Sequence, residues 1–303
     1  MYWTNIVKSV SIFRLIAVAA IWLATGPAGN AQLNGSPGGT LPPLRLYVLE
    51  GGVLVSNPAS YDLTNDQVAT TSLSVAAYLI VHPRGVLLWD AGAVAEDERI
   101  ADGAGAQQRL LRQDGNERFV TLGLSLIAQL AESGFAPEDV THLALSHYHW
   151  DHTADAGSFA HATWLVAERE RDVMLADEPP GGTRPWTFDA LRNSDVVLVE
   201  ADEHDVFGDG KVVLKQAPGH TEGHLVLYVD LEQTGPVLLS GDLYHYPAER
   251  TLDRLPNFEA SREETIASRE SVERLLERTG TELWIQHDLA HHRTLRLAPE
   301  FYD

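Results

Sequence analysis

The sequence predicts an α/β fold in which two sheets pack face to face and helices cover the outside. Three observations carry this. Short runs rich in Val, Leu and Tyr recur from residue 44 to residue 287, as strands do. Helical stretches interrupt them rarely, so the order is many strands, a helix, many strands, a helix, which suits two central sheets with outer helices. Finally, 303 residues that are 44% hydrophobic are enough to bury one sizeable core.

The elements follow in order. "LRLYVLEGGVLV" reads as a hairpin turning at its Gly-Gly pair, "SLSVAAYLIVH" as a strand and "GVLLWDAG" as the next, after Pro83-Arg84-Gly85. Residues 95–118 are polar and Gly-rich and read as a mobile surface loop. "LGLSLIAQLAESG" is a helix closed by Gly134, and "VTHLALS" a strand running into a histidine cluster. The strand "ATWLVA", a helix from about Glu168 and an aromatic loop over 177–192 follow. "DVVLVE", "KVVLKQAPG", "GHLVLYVDL" and "GPVLLSGD" are four more strands. "SREETIASRESVERLLERTG" is a helix with Ser261 and Glu264 as capping box and Gly280 past its end. "ELWIQHD" is a last short strand.

The N-terminus has a different character. Residues 1–31 carry Lys8, Arg14 and no acid, then an apolar stretch Leu15 to Ala24 and a small-residue run ending at Ala31. That is the order of a secretory signal peptide. The apolar stretch is shorter than the roughly 20 residues of a spanning helix. The expectation is therefore export to the periplasm or beyond, without stable membrane insertion after cleavage; an uncleaved anchor is the alternative. Residues 32–43, "QLNGSPGGTLPP", read as a linker, and 44–303 as one domain. The net charge of −21 opposes binding to nucleic acid or anionic lipid. With no cysteine, disulfides, thiolate ligands and cysteine nucleophiles are all excluded.

The chemistry concentrates in "SHYHWDH", residues 146–152. His147 and His149, two apart on a strand, would face the same side and reach one cation. Asp151 and His152 follow where the strand gives way, and so approach from another direction. Two such pairs suit two metals rather than one. Further ligands stand at the tips of apolar strands: His220 in "APGHTEGH", Asp242 in "LLSGDLYH" and His287 in "LWIQHD". Asp242 has two oxygens and can bridge two cations.

H-x-H-x-D-H followed by a Gly-His turn, a Gly-Asp strand end and a final His resembles the metallo-β-lactamase superfamily. The resemblance runs from about residue 44 to 292. "PEDVTHLALSHYHWDH", "APGHTEGH", "GDLYHYPAERT" and the terminal "QHD" are similar to the N-acyl homoserine lactonase branch. It implies an αββα sandwich, a dinuclear zinc site and hydrolysis of the lactone ring of N-acyl homoserine lactones (quorum quenching). Carried over, His147, His149 and His220 would hold one metal, Asp151, His152 and His287 the other, and Asp242 would bridge them. Other groupings of the same residues stay open, and His291 or His292 could stand in for His287. The branch commonly has a tyrosine three positions after the bridging aspartate. Here that position is His245, flanked by Tyr244 and Tyr246.

On this reading Asp151 passes a proton to the leaving alkoxide and His245 donates to the substrate. Asp90 in "LLWDAG" is expected to orient a ligand histidine, or to be a plain turn carboxylate. His224 is expected to be structural or to support a ligand. Trp150, Trp186 and Phe188 are candidates for an acyl pocket, or for core packing. The resemblance also implies a homodimer, for which no interface is readable. Two alternatives remain: a hydrolase of another ester, thioester, phosphodiester, sulfate ester or β-lactam on the same site, and a non-catalytic exported zinc-binding protein.

Overall fold

In the computed structural model, residue 1 and residues 42–98 and 106–303 are described. The expected signal peptide and nearly all of the linker lie outside the described residues.

Eight strands build the first sheet: β1 (Arg45–Val55), β2 (Ser72–His82), β3 (Gly85–Trp89), β4 (Ala106–Leu111), β5 (Glu117–Leu122), β6 (His142–Ala144), β7 (Thr163–Val166) and β8 (Val196–Leu198), in the order β4-β5-β1-β2-β3-β6-β7-β8. β3, β6, β7 and β8 are mutually parallel, so their C-terminal tips share one edge. The second sheet orders β13 (Glu282–Trp284), β12 (Gly235–Leu239), β11 (Leu225–Leu231), β10 (Val212–Gln216) and β9 (Glu203–Asp205). Antiparallel pairing of β10, β11 and β12 and parallel pairing of β12 with β13 bring the C-terminal tips of β10, β12 and β13 to one edge as well.

Alternation along the strands sorts the core into layers. Leu46, Tyr78, Ile80, Leu87 and Trp89 of the first sheet pack against Leu214, Leu227, Val237, Leu239 and Trp284 of the second. The opposite face of the first sheet, with Leu79, Leu88, Leu143 and Trp164, is covered by Leu126 and Leu130 of α1 (Leu126–Glu132) and by Met174 of α2 (Glu168–Met174). The outer face of the second sheet, with Val226 and Leu238, receives Val272 and Leu276 of α4 (Arg262–Thr279), which follows α3 (Pro247–Leu252); α5 (Leu289–His292) closes the helix set. Each fully buried aliphatic or aromatic side chain contributes about 1.5–3 kcal/mol from burial. The layers are the expected αββα sandwich.

Four local expectations are corrected. The Gly51-Gly52 pair is not a hairpin turn: β1 is one eleven-residue strand with a bulge there. A Cβ on Gly51 would meet Gly92 Cα at 2.9 Å, so the pair serves close backbone approach. The stretch 95–118 is not one loop, because β4 and β5 form an antiparallel hairpin on the sheet edge. Its apolar face, Leu110, Val120 and Leu122, is buried, while Arg109, Glu117 and other outward residues mask the alternation. The run of histidines is not strand: β6 stops at Ala144, so His147 and His149 converge by a loop rather than by alternation. The capping box is half made: Ser261 Oγ accepts from Glu264 N–H, but the Glu264 carboxylate pairs with Arg169.

Candidate metal centre

The seven predicted ligands come together where the C-terminal tips of both sheets meet. His147, His149, His220 and Asp242 form one group of converging donor atoms, and Asp151, His152 and His287 the next. In the first, His149 Nδ1 lies 2.8 Å from His147 Nε2 and 2.9 Å from His220 Nε2. Asp242 Oδ2 stands 3.5 Å from His147 Nε2 and 3.3 Å from His220 Nε2. Its other oxygen, Oδ1, faces the second group, 3.1 Å from His152 Nε2 and 3.0 Å from His287 Nε2. Asp151 Oδ2 is 3.7 Å from His287 Nε2. The bridging position of Asp242 is thus visible in which oxygen faces which group. His287 is the converging histidine of the last segment; His291 and His292 stand in α5 and belong to neither group.

These residues fit divalent cations. Donors held tetrahedrally at about 2.0–2.2 Å from an ion lie roughly 3.3–3.6 Å apart, close to the separations here. His152 Nε2 and Asp242 Oδ1 are buried and without hydrogen-bond partners, a costly state that a cation between them would relieve. Burial and neighbouring imidazoles, His152 for one and His220 for the other, hold His147 and His149 well below the ordinary histidine range. Burial also opposes charge on His152, but Asp242, Asp90 and Asp151 outweigh it and raise that ring well above the range. Burial works against the Asp242 carboxylate, yet His287, His152 and His245 hold it well below the usual carboxylate range.

The far nitrogens are braced. Asp90, at the tip of β3 with φ +59°, accepts from Ser146 N–H (2.6 Å), His152 Nδ1 (2.8 Å) and Gln286 Nε2 (2.7 Å). A non-glycine residue in the left-handed region costs energy, and here the strain buys a carboxylate aimed at the ligand loop. Asp90 therefore braces the ring of His152, a candidate ligand. His287 Nδ1 donates to Ser74 O (2.6 Å). The buried Glu170 ties the two loops, accepting from Tyr148 N–H and Gly223 N–H at 2.8 Å each. His224 Nε2 accepts from Asp242 N–H (2.9 Å), so it supports the bridging residue instead of joining a group. Gly241, just before Asp242, has φ +49°, and a Cβ there would stand 2.7 Å from His224 Nε2.

The model of the metallo-beta-lactamase superfamily matches residues 70–279. The chain belongs to that superfamily. Within it, the chain is 31% identical over 273 residues to the N-acyl homoserine lactonase AttM of Azorhizobium caulinodans, covering 86% of this chain and 99% of the relative. Metallo-beta-lactamase folds of known structure superpose on it at low identity. An N-acyl homoserine lactone hydrolase with the product N-hexanoyl-L-homoserine bound at its catalytic metal centre shares 20% identity at a TM-score of 0.68, covering 85% of this chain and 98% of that one. AidC, a dizinc quorum-quenching lactonase in complex with the same product, shares 17% at 0.60, covering 82% and 88%.

The converging residues open onto a cavity of about 750 Å³, lined by His149, Asp151, Asp242, His245 and His287. Leu54, Leu73, Phe119, Trp150 and Phe258 contribute apolar wall, and Arg112 and Arg118 polar wall. Of the three aromatic candidates only Trp150 lines it. Phe188 is buried in the core against the first sheet, and Trp186 is half exposed, its Nε1 3.2 Å from Glu98. His245 faces the cavity with Nε2 3.1 Å from Asp242 Oδ2. Burial opposes its charge, but Asp242 and Glu249 push it up to about 10. Neither flanking phenol takes the tyrosine's place: Tyr244 Oη donates to Glu273, and Tyr246 packs beside Tyr61. The phenol nearest His245 is Tyr61, rings 4.7 Å apart, which also lines the cavity. Sequence reasoning passed over Tyr61, Glu249 and Gln286; none sits in a metal-binding spacing, and Tyr61 is brought there only by the fold.

Proposed function

We propose that this chain is a zinc-dependent lactonase that opens the ring of N-acyl homoserine lactones. The observation that carries the reading is the Asp242 carboxylate, one oxygen turned to each ligand group on the floor of a half-apolar cavity. The lactonase relatives support the substrate, and the histidine-rich donor set supports zinc. Bound ions would supply Lewis acidity and a hydrolytic nucleophile at neutral pH. The protein does the rest. Leu54, Leu73, Phe119 and Phe258 receive the acyl chain and exclude water from it. His245, whose ring lines the cavity, donates to the substrate carbonyl, and Asp151, which lines the same cavity, carries a proton to the leaving ring oxygen.

The test pairs metal analysis with lactone hydrolysis over a series of acyl lengths, for the wild type and His149→Ala. The expected outcome is two divalent ions per wild-type chain with lactone turnover, both lost together in the variant. Full lactone turnover by metal-free His149→Ala would overturn the scheme. Turnover of β-lactams or phosphodiesters in place of lactones would reassign the substrate.

We further infer export to the periplasm or beyond with cleavage near Ala31. Lys8, Arg14, the short apolar stretch and the small-residue run ending at Ala31 support this. No helix among the described residues is long and apolar enough to cross a membrane. Mass spectrometry of the protein recovered from fractionated cells should give a chain beginning near Gln32; a full-length mass in the membrane fraction would point to an anchor.

A further inference from the structure

The segment between α3 and α4 has no counterpart in the ligand motifs, yet it reaches the first ligand group from behind. Glu259 Oε1 lies 3.1 Å from His220 Nδ1, the ring nitrogen turned away from the converging donors. Its side chain is 1% exposed. The second oxygen, Oε2, accepts from Thr265 Oγ1 in the first turn of α4. The surrounding backbone is pinned to the same turn: Ser261 N–H donates to Gly219 O (2.8 Å) and Ala260 N–H to His220 O (3.2 Å). Gly219 makes this approach feasible, since with φ +134° a Cβ would stand 2.1 Å from Thr265 N.

The other bracing groups come from elsewhere. His147 Nδ1 lies 2.9 Å from Ser146 Oγ, within the ligand run itself. His152 leans on Asp90 and His287 on Ser74 O, both at the tips of the first sheet. His220 leans on a carboxylate from a segment that also walls the cavity. Phe258, the residue before Glu259, lines it, with its ring 5.8 Å from His220 and 5.4 Å from Tyr61.

We propose that Glu259 is a positioning residue for His220, fixing the proton on Nδ1 so that Nε2 presents its lone pair to the His147, His149 and Asp242 group. The reason is general: a carboxylate on the far nitrogen of a ligand imidazole sets its tautomer and orientation and raises its basicity. The inference rests on the metal centre proposed above. It makes the affinity of the first ligand group, and not that of the second, depend on the cavity-wall segment.

The experiment is a chelator-competition titration of the zinc-loaded full chain, which resolves the two ions by affinity, with far-UV circular dichroism of the same samples. In Glu259→Leu one ion should bind roughly 10–100-fold more weakly, the range for loss of such a partner, while the other keeps its wild-type affinity. Glu259→Gln keeps an acceptor of the same shape and should lose less, at the same ion. Should Glu259→Leu fail to fold, the glutamine variant carries the test through the same selective loss. Two wild-type affinities in a folded Glu259→Leu would overturn the assignment alone. Equal weakening of both ions with lowered thermal stability would also overturn it, since a merely structural residue does that. A wild-type chain that binds no metal would overturn the centre and this assignment with it.

Discussion

The two sheets contribute to the centre in opposite ways. The first supplies His147, His149, Asp151 and His152 from one loop beyond β6, braced by Asp90 beside it. The second supplies His220, Asp242 and His287 from three separate tips, beyond β10, β12 and β13. The first set is local: once the loop forms, its members are near one another. The second exists only when the strands are in register, because nothing else brings residues 220, 242 and 287 together. Asp242 then joins the sets, so the complete centre reports on the packing of sheet against sheet.

The sharpest way to break the first set is through its brace. Asp90→Ala removes the acceptor of Ser146 N–H, the His152 ring and Gln286 at once, leaving buried donors unpaired. Metal affinity should fall by roughly 10–100-fold, with activity following, measured by chelator competition and lactone turnover.

A pH series sharpens the comparison. Carboxylates hold His152 and His220 above the ordinary histidine range, against the opposing effect of burial, while burial and neighbouring imidazoles hold His147 and His149 below it. In the metal-free protein the first pair therefore holds its protons to higher pH than the second. A metal must displace the protons of the first pair, so affinity should weaken as pH falls, by roughly tenfold per unit for each proton released. Calorimetry in buffers of different ionisation enthalpy counts those protons; binding without proton release would contradict the arrangement.

The smallest contrast lies in one loop. Phe188→Ala should cost about 3–5 kcal/mol, since its ring is buried in the core against the first sheet. Trp186→Ala, two residues earlier and half exposed, should change stability by no more than about 0.5 kcal/mol and leave KM for long-chain lactones unchanged. Urea denaturation and steady-state kinetics separate the two. A raised KM in Trp186→Ala would restore that ring to the acyl pocket.

Legibility followed the same division between local and distant. "SHYHWDH" was readable because its members are neighbours in sequence, though the loop geometry was mistaken for a strand. The distant ligands were readable because each follows an apolar strand and a turn. The β4–β5 hairpin was missed because on an edge strand charged residues interrupt the apolar alternation. Gly51-Gly52 looked like a turn because a bulge and a turn ask the same freedom of the backbone.

By itself the sequence determined the layered α/β class, the candidate ligands and the absence of thiolate chemistry, because periodicity and residue type act over short range. Only the tertiary structure decided which oxygen of Asp242 serves which group. It also decided that His245 faces the cavity beside Tyr61, and that Glu259 stands behind His220. Those are contacts between segments far apart in the chain, and they arise only when burial of two apolar sheet faces sets the strands side by side.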